Sequence, residues 1–173
     1  MQQLRELHVV QVLGLSMSGA CALLLSLSPQ HFADLYIDTF EADSGMPAGT
    51  DKTLALGSAL QRLTSLESVS LFLPNLATDA GDAEHMGAAA AVASALPHLP
   101  RLKEVSVGIR GILEGPGRLT FFGRRAAALS ILSFASLAPS LRSLALVGLL
   151  QGDDKAQAKQ MVQRSMPHVK LKV

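Results

Sequence analysis

Cysteine and aromatic residues are scarce in this chain of 173 residues. It has one cysteine, Cys21, no tryptophan and one tyrosine, and aromatic residues make up 4% of the sequence. A single cysteine cannot form an internal disulfide, and it leaves no cysteine cluster that would bind zinc. We therefore predict a chain without a disulfide framework or a metal centre, in a reducing compartment, with the cytoplasm as the expected location.

Charge of either sign is also sparse. There are 15 lysines and arginines against 14 aspartates and glutamates, a formal net charge of +1, with no dense run of one sign. The strong positive field that is typical of unaided nucleic-acid binding is therefore missing, and we expect no nucleic-acid partner.

The apolar content instead indicates one packed body. Hydrophobic residues make up 49% of the chain and charged residues 17%, which argues against disorder. A chain of 173 residues is long enough for one domain with a hydrophobic core, but short for two domains. We predict a single domain over residues 1–173.

Residues 9–30 carry no charged side chain. A targeting segment or a membrane span is one interpretation of such a stretch. Against it, Gln11 and Ser16 interrupt the apolar run, and the preceding segment pairs Arg5 with Glu6 instead of being cationic. The same residues also fit a strand, a turn and a buried helix, so we predict no integral membrane span.

A six-residue phrase recurs along the whole chain: an apolar residue, two free positions, an apolar residue, one free position and a third apolar residue. Its six copies are Leu4-Leu7-Val9, Phe32-Leu35-Ile37, Leu66-Val69-Leu71, Leu102-Val105-Val107, Leu141-Leu144-Leu146 and, incompletely, Met166-Val169-Leu171. The starts lie 28, 34, 36, 39 and 25 residues apart, which leaves room for a loop and one helix. The alternation inside each phrase predicts a short strand, and the recurrence is typical of a repeat protein.

Between the phrases the apolar period becomes helical. Leu56, Leu60 and Leu63, for example, form one helical stripe. Helices are predicted near 18–27, 52–64, 83–96, 122–137 and 153–164. Prolines such as Pro100 and Pro139 stand between a helix and the next phrase, where they end the helix and favour extended backbone. The predicted unit is therefore strand, loop, helix and proline turn.

The phrases Leu66-Glu-Ser-Val-Ser-Leu71, Leu102-Lys-Glu-Val-Ser-Val107 and Leu141-Arg-Ser-Leu-Ala-Leu146 resemble the leucine-rich repeat family, in its irregular ribonuclease-inhibitor-like and F-box-associated form. The resemblance covers nearly the whole chain. It implies an α/β fold, a right-handed α/β solenoid with a curved parallel sheet of about six short strands and helices on the convex side. The chain departs from the family where an Asn or Cys is expected three residues beyond each phrase, as at Pro74 and Arg110.

The free positions of the phrases define a candidate partner-binding surface on the concave side of such a sheet. The central free positions are His8, Tyr36, Ser70, Ser106, Ala145 and Lys170, and the positions two residues later are Val10, Asp38, Phe72, Gly108, Val147 and Lys172. From these we select Tyr36, Asp38, Ser70, Phe72, Ser106, Val147, Lys170 and Lys172 as binding residues. Phe72 and Tyr36 are the expected anchors, because aromatic residues contribute strongly to interfaces. The alternative is that Phe72 folds back over its own repeat.

The helices and the chain ends suggest a larger assembly. The only polar residues in 126–138 are three serines, so this helix lacks the charges of a solvated face. It is expected to be covered by another subunit of a complex, although an alanine-favouring genome explains it equally well. The sequence shows no polar cap at either end of the repeats, which predicts either neighbouring subunits or a portion of a longer protein.

Catalytic chemistry finds little support. The five histidines lie in different repeats without metal-binding spacing, and no Gly-x-Ser-x-Gly elbow occurs. The glycine-rich run from Gly108 to Gly117 lacks the lysine and Ser/Thr of a P-loop. Arg124 and Arg125, at the start of a helix, either bind an acidic group or are simply solvated, and solvation is the default expectation. We expect no enzyme, cofactor or metal.

The function that the sequence favours is a non-catalytic protein–protein interaction module, a scaffold or an accessory subunit of a larger assembly, binding a protein through the concave sheet. One alternative is the substrate-recognition part of a ubiquitin ligase, although no F-box precedes the repeats. A second alternative is a small nucleotide-binding α/β domain that uses the Gly108–Gly117 loop.

Overall fold

Strands and helices alternate along the chain, as predicted. The structure is a computed structural model that describes residues 5–9, 17–38, 50–74, 89–110 and 121–173. The strands are β1 Glu6–Val9, β2 Asp34–Asp38, β3 Ser68–Pro74, β4 Glu104–Arg110, β5 Ser143–Val147 and β6 Lys170–Lys172. The helices are α1 Met17–Ser26, α2 Thr50–Gln61, α3 with described residues 89–95, α4 Phe121–Ala135 and α5 Asp153–Ser165. A 3₁₀ turn, Leu96–His98, continues α3. Residues 83–88 of the predicted third helix lie outside the described part.

The strands form a single open parallel sheet. Its six strands lie in chain order, from β1 at one edge to β6 at the other. Val69 on β3 pairs in register with Val105 on β4, and Val105 pairs with Leu144 on β5. The predicted α/β class and the parallel arrangement of the phrases are confirmed.

One face of this sheet carries the core. Leu35, Val69, Val105 and Leu144 are each at most 2% exposed. Buried residues of all five helices join them in one continuous apolar cluster, so the helices cover the same face. Because burying a leucine or valine contributes about 1.5–3 kcal/mol, this cluster is the main source of stability. The other face of the sheet is left without a helix among the described residues.

One backbone pattern recurs between successive strands. The carbonyl just before one strand accepts two N–H groups at the start of the next strand, with N···O distances of 2.7–3.1 Å. The accepting carbonyls belong to Arg5, Ala33, Glu67 and Lys103. The first five strands are therefore laid on one another with the same step, whereas at β6 the Arg142 carbonyl accepts from Lys170 alone among these turn and loop bonds.

Serine hydroxyls connect the turns that follow the helices. Ser65 Oγ donates to the carbonyl of Gln30 at 2.8 Å, and Ser140 Oγ donates to the carbonyl of Pro100 at 2.6 Å. Each bond joins one unit to the unit before it. The repeat pattern of the sequence does not indicate this role of the serines.

The prediction for the sixth phrase is wrong by two residues. Lys170 pairs with Ser143 and Lys172 with Ala145, whereas the phrase placed Lys170 beside Ala145. The reason lies in the turn, where the N–H of Val169 bonds to Met166 as the N–H of Leu141 bonds to Ala138. Met166 therefore belongs to the turn, and the step from there to the strand is one residue shorter than in the fifth unit.

The uncharged stretch 9–30 contributes a helix to the core. Its residues 10–16 lie outside the described part, and Ala20 and Leu24 of α1 are at most 1% exposed. No helix within the described ranges is both long and apolar enough to cross a bilayer.

Candidate partner-binding surface

The face of the sheet opposite the core is the candidate site, and we call it the open face. It is formed by the residues that alternate with the buried ones, because successive side chains of a strand point to opposite faces. Its described members are Glu6, Asp34, Tyr36, Ser68, Ser70, Phe72, Glu104, Ser106, Gly108, Ser143, Ala145, Val147, Lys170 and Lys172.

The open face is ordered in rows that cross the strands. One row comprises Tyr36, Ser70, Ser106, Ala145 and Lys172, which are neighbours in register. The next row comprises Asp38, Phe72, Gly108 and Val147. Seven of the eight predicted binding residues thus share one surface; the eighth, Asp38, has its backbone opposite Phe72, but its side chain lies outside the described part.

Tyr36 and Phe72 form an aromatic pair on this face. Their ring centroids lie 5.8 Å apart, and the planes are inclined by 41°. They occupy diagonal positions on neighbouring strands, which is within reach of large side chains. Such a pair contributes about 0.5–1.5 kcal/mol beyond the area that it buries.

Phe72 rests on Gly108 of the next strand. A Cβ atom on Gly108 would lie 2.9 Å from Cδ1 and Cε1 of the Phe72 ring and 2.8 Å from Cβ of Val147. Only glycine leaves the ring this space. The ring therefore leans across the neighbouring strand rather than back over its own repeat.

These contacts create an apolar platform, which we define as Tyr36, Phe72, Gly108 and Val147. Val147 is 44% exposed, and the side chains of Tyr36 and Phe72 are partly exposed. The residues beside the platform, Ser70, Ser106 and Ala145, have small side chains that do not enclose it. The surface is thus shallow and suited to a flat contact.

The run that begins at Gly108 is not a loop at its start. β4 continues through Gly108 to Arg110, in register with Phe72 and Pro74 of β3. The predicted loop was wrong for these residues because the glycine serves the ring packing on the open face. Residues 111–117 lie outside the described part, so the nucleotide-binding alternative for this run stays a prediction.

Glu67 and Lys103 pair at the N-terminal edge of the sheet. Lys103 Nζ lies 2.5 Å from Glu67 Oε2, and both side chains are exposed. The hydrogen bond and the charge of Lys103 lower the pKa of Glu67 from its ordinary value, with smaller contributions from Arg101 and Arg5. Lys103 is therefore engaged within the chain.

The helix side contributes a different surface. Leu129, Phe134 and Leu137 of α4 and the residues after it are 40%, 38% and 62% exposed. The hydroxyls of Ser133 and Ser136 bond to carbonyls of their own helix. The helix side therefore exposes apolar side chains, as its composition predicted.

Arg125 has a partner within the chain, contrary to the expectation that it is simply solvated. Its Nε lies 3.4 Å from Oδ1 of Asp154, whose side chain is only 11% exposed. Asp154 stands in the first turn of α5, where a carboxylate is also stabilised by the helix dipole. The pair connects α4 to α5.

Within the described residues, no group of three His, Cys, Asp or Glu residues lies close enough together to hold a metal ion. Cys21 is buried in α1. The sequence matches no known family model and no curated protein.

Proposed function

We propose that the chain is a non-catalytic protein-binding module, or an accessory subunit of a larger assembly, that takes a protein partner on its open face. The observation that carries this proposal is the apolar platform of Tyr36, Phe72, Gly108 and Val147 on a sheet face that the helices leave uncovered. Aromatic residues on a shallow surface are the usual anchors of protein interfaces.

The proposal includes the architecture. A leucine-rich-repeat-like solenoid, curved with its helices outside, is supported by the chain-order sheet and by the carbonyl pattern that recurs at every step from Arg5 to Lys103. In repeat proteins of this kind, stacked units create an extended concave binding surface. The open face occupies the position of that surface.

The test compares capture by two variants that place the same charge on opposite sides of the molecule. Phe72→Asp puts a carboxylate on the platform, and Leu137→Asp puts one on an apolar and more exposed site of the helix side. We expect proteins captured from cell extract by the wild type and by Leu137→Asp to bind Phe72→Asp about 30-fold more weakly, because a hot-spot residue contributes about 2 kcal/mol.

Circular dichroism and thermal unfolding establish that both variants are folded. The same proteins captured equally by Phe72→Asp would overturn the proposal. Loss of capture with Leu137→Asp alone would move the interface to the helix side.

A further inference from the structure

Charge is distributed unevenly across the open face. Glu6 on β1 and Glu104 on β4 are exposed, and Asp34 on β2 is partly exposed. Lys170 and Lys172 are both exposed on β6. The face therefore carries acidic residues on β1, β2 and β4 and lysines on β6, and the apolar platform spans β2 to β5.

The row beside the platform has small side chains. Ser70, Ser106 and Ala145 lead along this row to Lys172, and Val147 of the platform is diagonal to Lys172 on the neighbouring strand. Within the described residues the hydroxyls of Ser70 and Ser106 have no hydrogen-bond partner. They can therefore donate to or accept from a main chain that lies on them.

The sheet geometry sets the distances. Neighbouring strands lie about 4.8 Å apart, and residues along a strand lie about 3.3 Å apart. Lys172 is level with Ser70, three strands from Phe72 and two residues back along the strand, which gives about 16 Å. Glu6 is level with Ser68, two strands from Phe72 and four residues back, which also gives about 16 Å. Because an extended chain advances about 3.3 Å per residue, each span corresponds to about five residues.

We propose, resting on the function proposed above, that the partner presents one extended segment that crosses the strands, with a bulky apolar residue on the platform. An acidic residue about five positions to one side pairs with Lys170 and Lys172, and a basic residue about five positions to the other side lies over Glu6 and Asp34. The lysines and acids thus fix the direction in which the segment lies.

The probe is a random dodecapeptide library displayed on phage, selected on the immobilised wild-type chain and counter-selected on Phe72→Asp. The expected peptides carry an aromatic or large aliphatic residue with an acidic residue on one side and a basic residue on the other, at the stated spacings. Affinities of synthesised peptides are then measured against two double variants with equal change in net charge.

Lys170→Glu with Lys172→Glu is expected to weaken binding of these peptides tenfold or more. A library selected on this double variant is expected to carry a basic residue at the peptide position that is acidic in the peptides selected on the wild type. Lys155→Glu with Lys159→Glu, on exposed positions of α5, is the matched control and is expected to leave binding unchanged. Lys172→Gln provides a milder variant, with a loss of a few fold, if the double change at β6 lowers stability.

The outcomes separate the two proposals. One result would be peptides that require Phe72 but show no charge preference, and another would be peptides that bind the β6 variants as tightly as the wild type. Either result overturns the proposal that charges fix the direction of the segment, and leaves the proposed binding function standing. A library that yields no peptide dependent on Phe72 overturns both. Binding by a second copy of the chain, seen as concentration-dependent dimerisation lost in Phe72→Asp, also overturns the extended segment.

Discussion

Gly108 shows how one missing side chain shapes the candidate surface. The Phe72 ring and Val147 both occupy the space that a Cβ at Gly108 would need. The glycine therefore matters for packing between strands. Its place in a glycine-rich run had suggested a loop instead.

We expect Gly108→Ala to destabilise the fold by about 1–3 kcal/mol, because overpacking moves either the ring or the backbone of a neighbouring strand. Urea denaturation measures the change in the free energy of unfolding. Ser106→Ala, two residues earlier on the same face, is the control and is expected to change it by less than about 0.5 kcal/mol. Equal stability of the wild type and Gly108→Ala would show that Phe72 does not rest on this glycine.

The pair of Glu67 and Lys103 supplies a second prediction at the residue scale. Lys103→Met is expected to raise the pKa of Glu67 toward its ordinary value of 4.5, because the hydrogen bond and the charge of Lys103 are the largest causes of its lowering. Carboxyl titration followed by NMR measures it, with Lys155→Met as the control.

The lowered pKa of Glu67 also predicts how the stability of the fold depends on pH. A carboxylate whose pKa is lower in the folded state stabilises the fold above the ordinary pKa, and this contribution is lost as the pH falls through the lowered value. The contribution is small because both side chains are exposed. An unchanged Glu67 pKa in Lys103→Met would contradict the pairing.

Two neighbouring helices approach closely at Gly57. A Cβ on this residue of α2 would lie 3.1 Å from Ser94 Oγ and 3.2 Å from the carbonyl oxygen of Ala91. Gln61 Nε2 also donates to the carbonyl of Ser94, at 3.4 Å. The helix stripe of Leu56 and Leu60 was predicted correctly, but this contact depends on which helices are neighbours and so could not be predicted from one helix.

Gly57→Val is expected to destabilise the fold by about 1–3 kcal/mol, because both γ-carbons enter the contact between α2 and α3. Ser58→Val, at the exposed neighbouring position, introduces the same β-branched residue into α2 without the clash. The difference between the two variants in thermal or urea unfolding isolates the contact. No difference would show that the helices lie further apart.

The strands illustrate what the sequence could and could not predict at the scale of elements. Alternation in the phrases of Leu66 and Leu102 predicted the strands and their buried sides, because a period of two assigns every side chain to a face. The prediction for the sixth phrase failed because Met166 belongs to the turn and not to the phrase, and the step from this turn to the strand is one residue shorter than in the fifth unit.

At the scale of the molecule, the predicted order of the strands in the sheet was correct, but most side-chain contacts of the site could not be predicted from the sequence. Rows on the open face follow from the phrases alone, so Tyr36, Ser70 and Ser106 were placed on one surface from sequence. The lean of Phe72 over Gly108 and the pair of Arg125 with Asp154 depend on side-chain directions that periodicity does not specify. The binding role of the open face stays a prediction.

The recurring carbonyl contact has a consequence for how such a surface changes in size. Each of these carbonyls bonds only to the strand that comes next in the chain, so adding or deleting one whole unit leaves the remaining bonds intact. The breadth available to a partner can then grow or shrink in increments of about 4.8 Å, one interstrand spacing at a time.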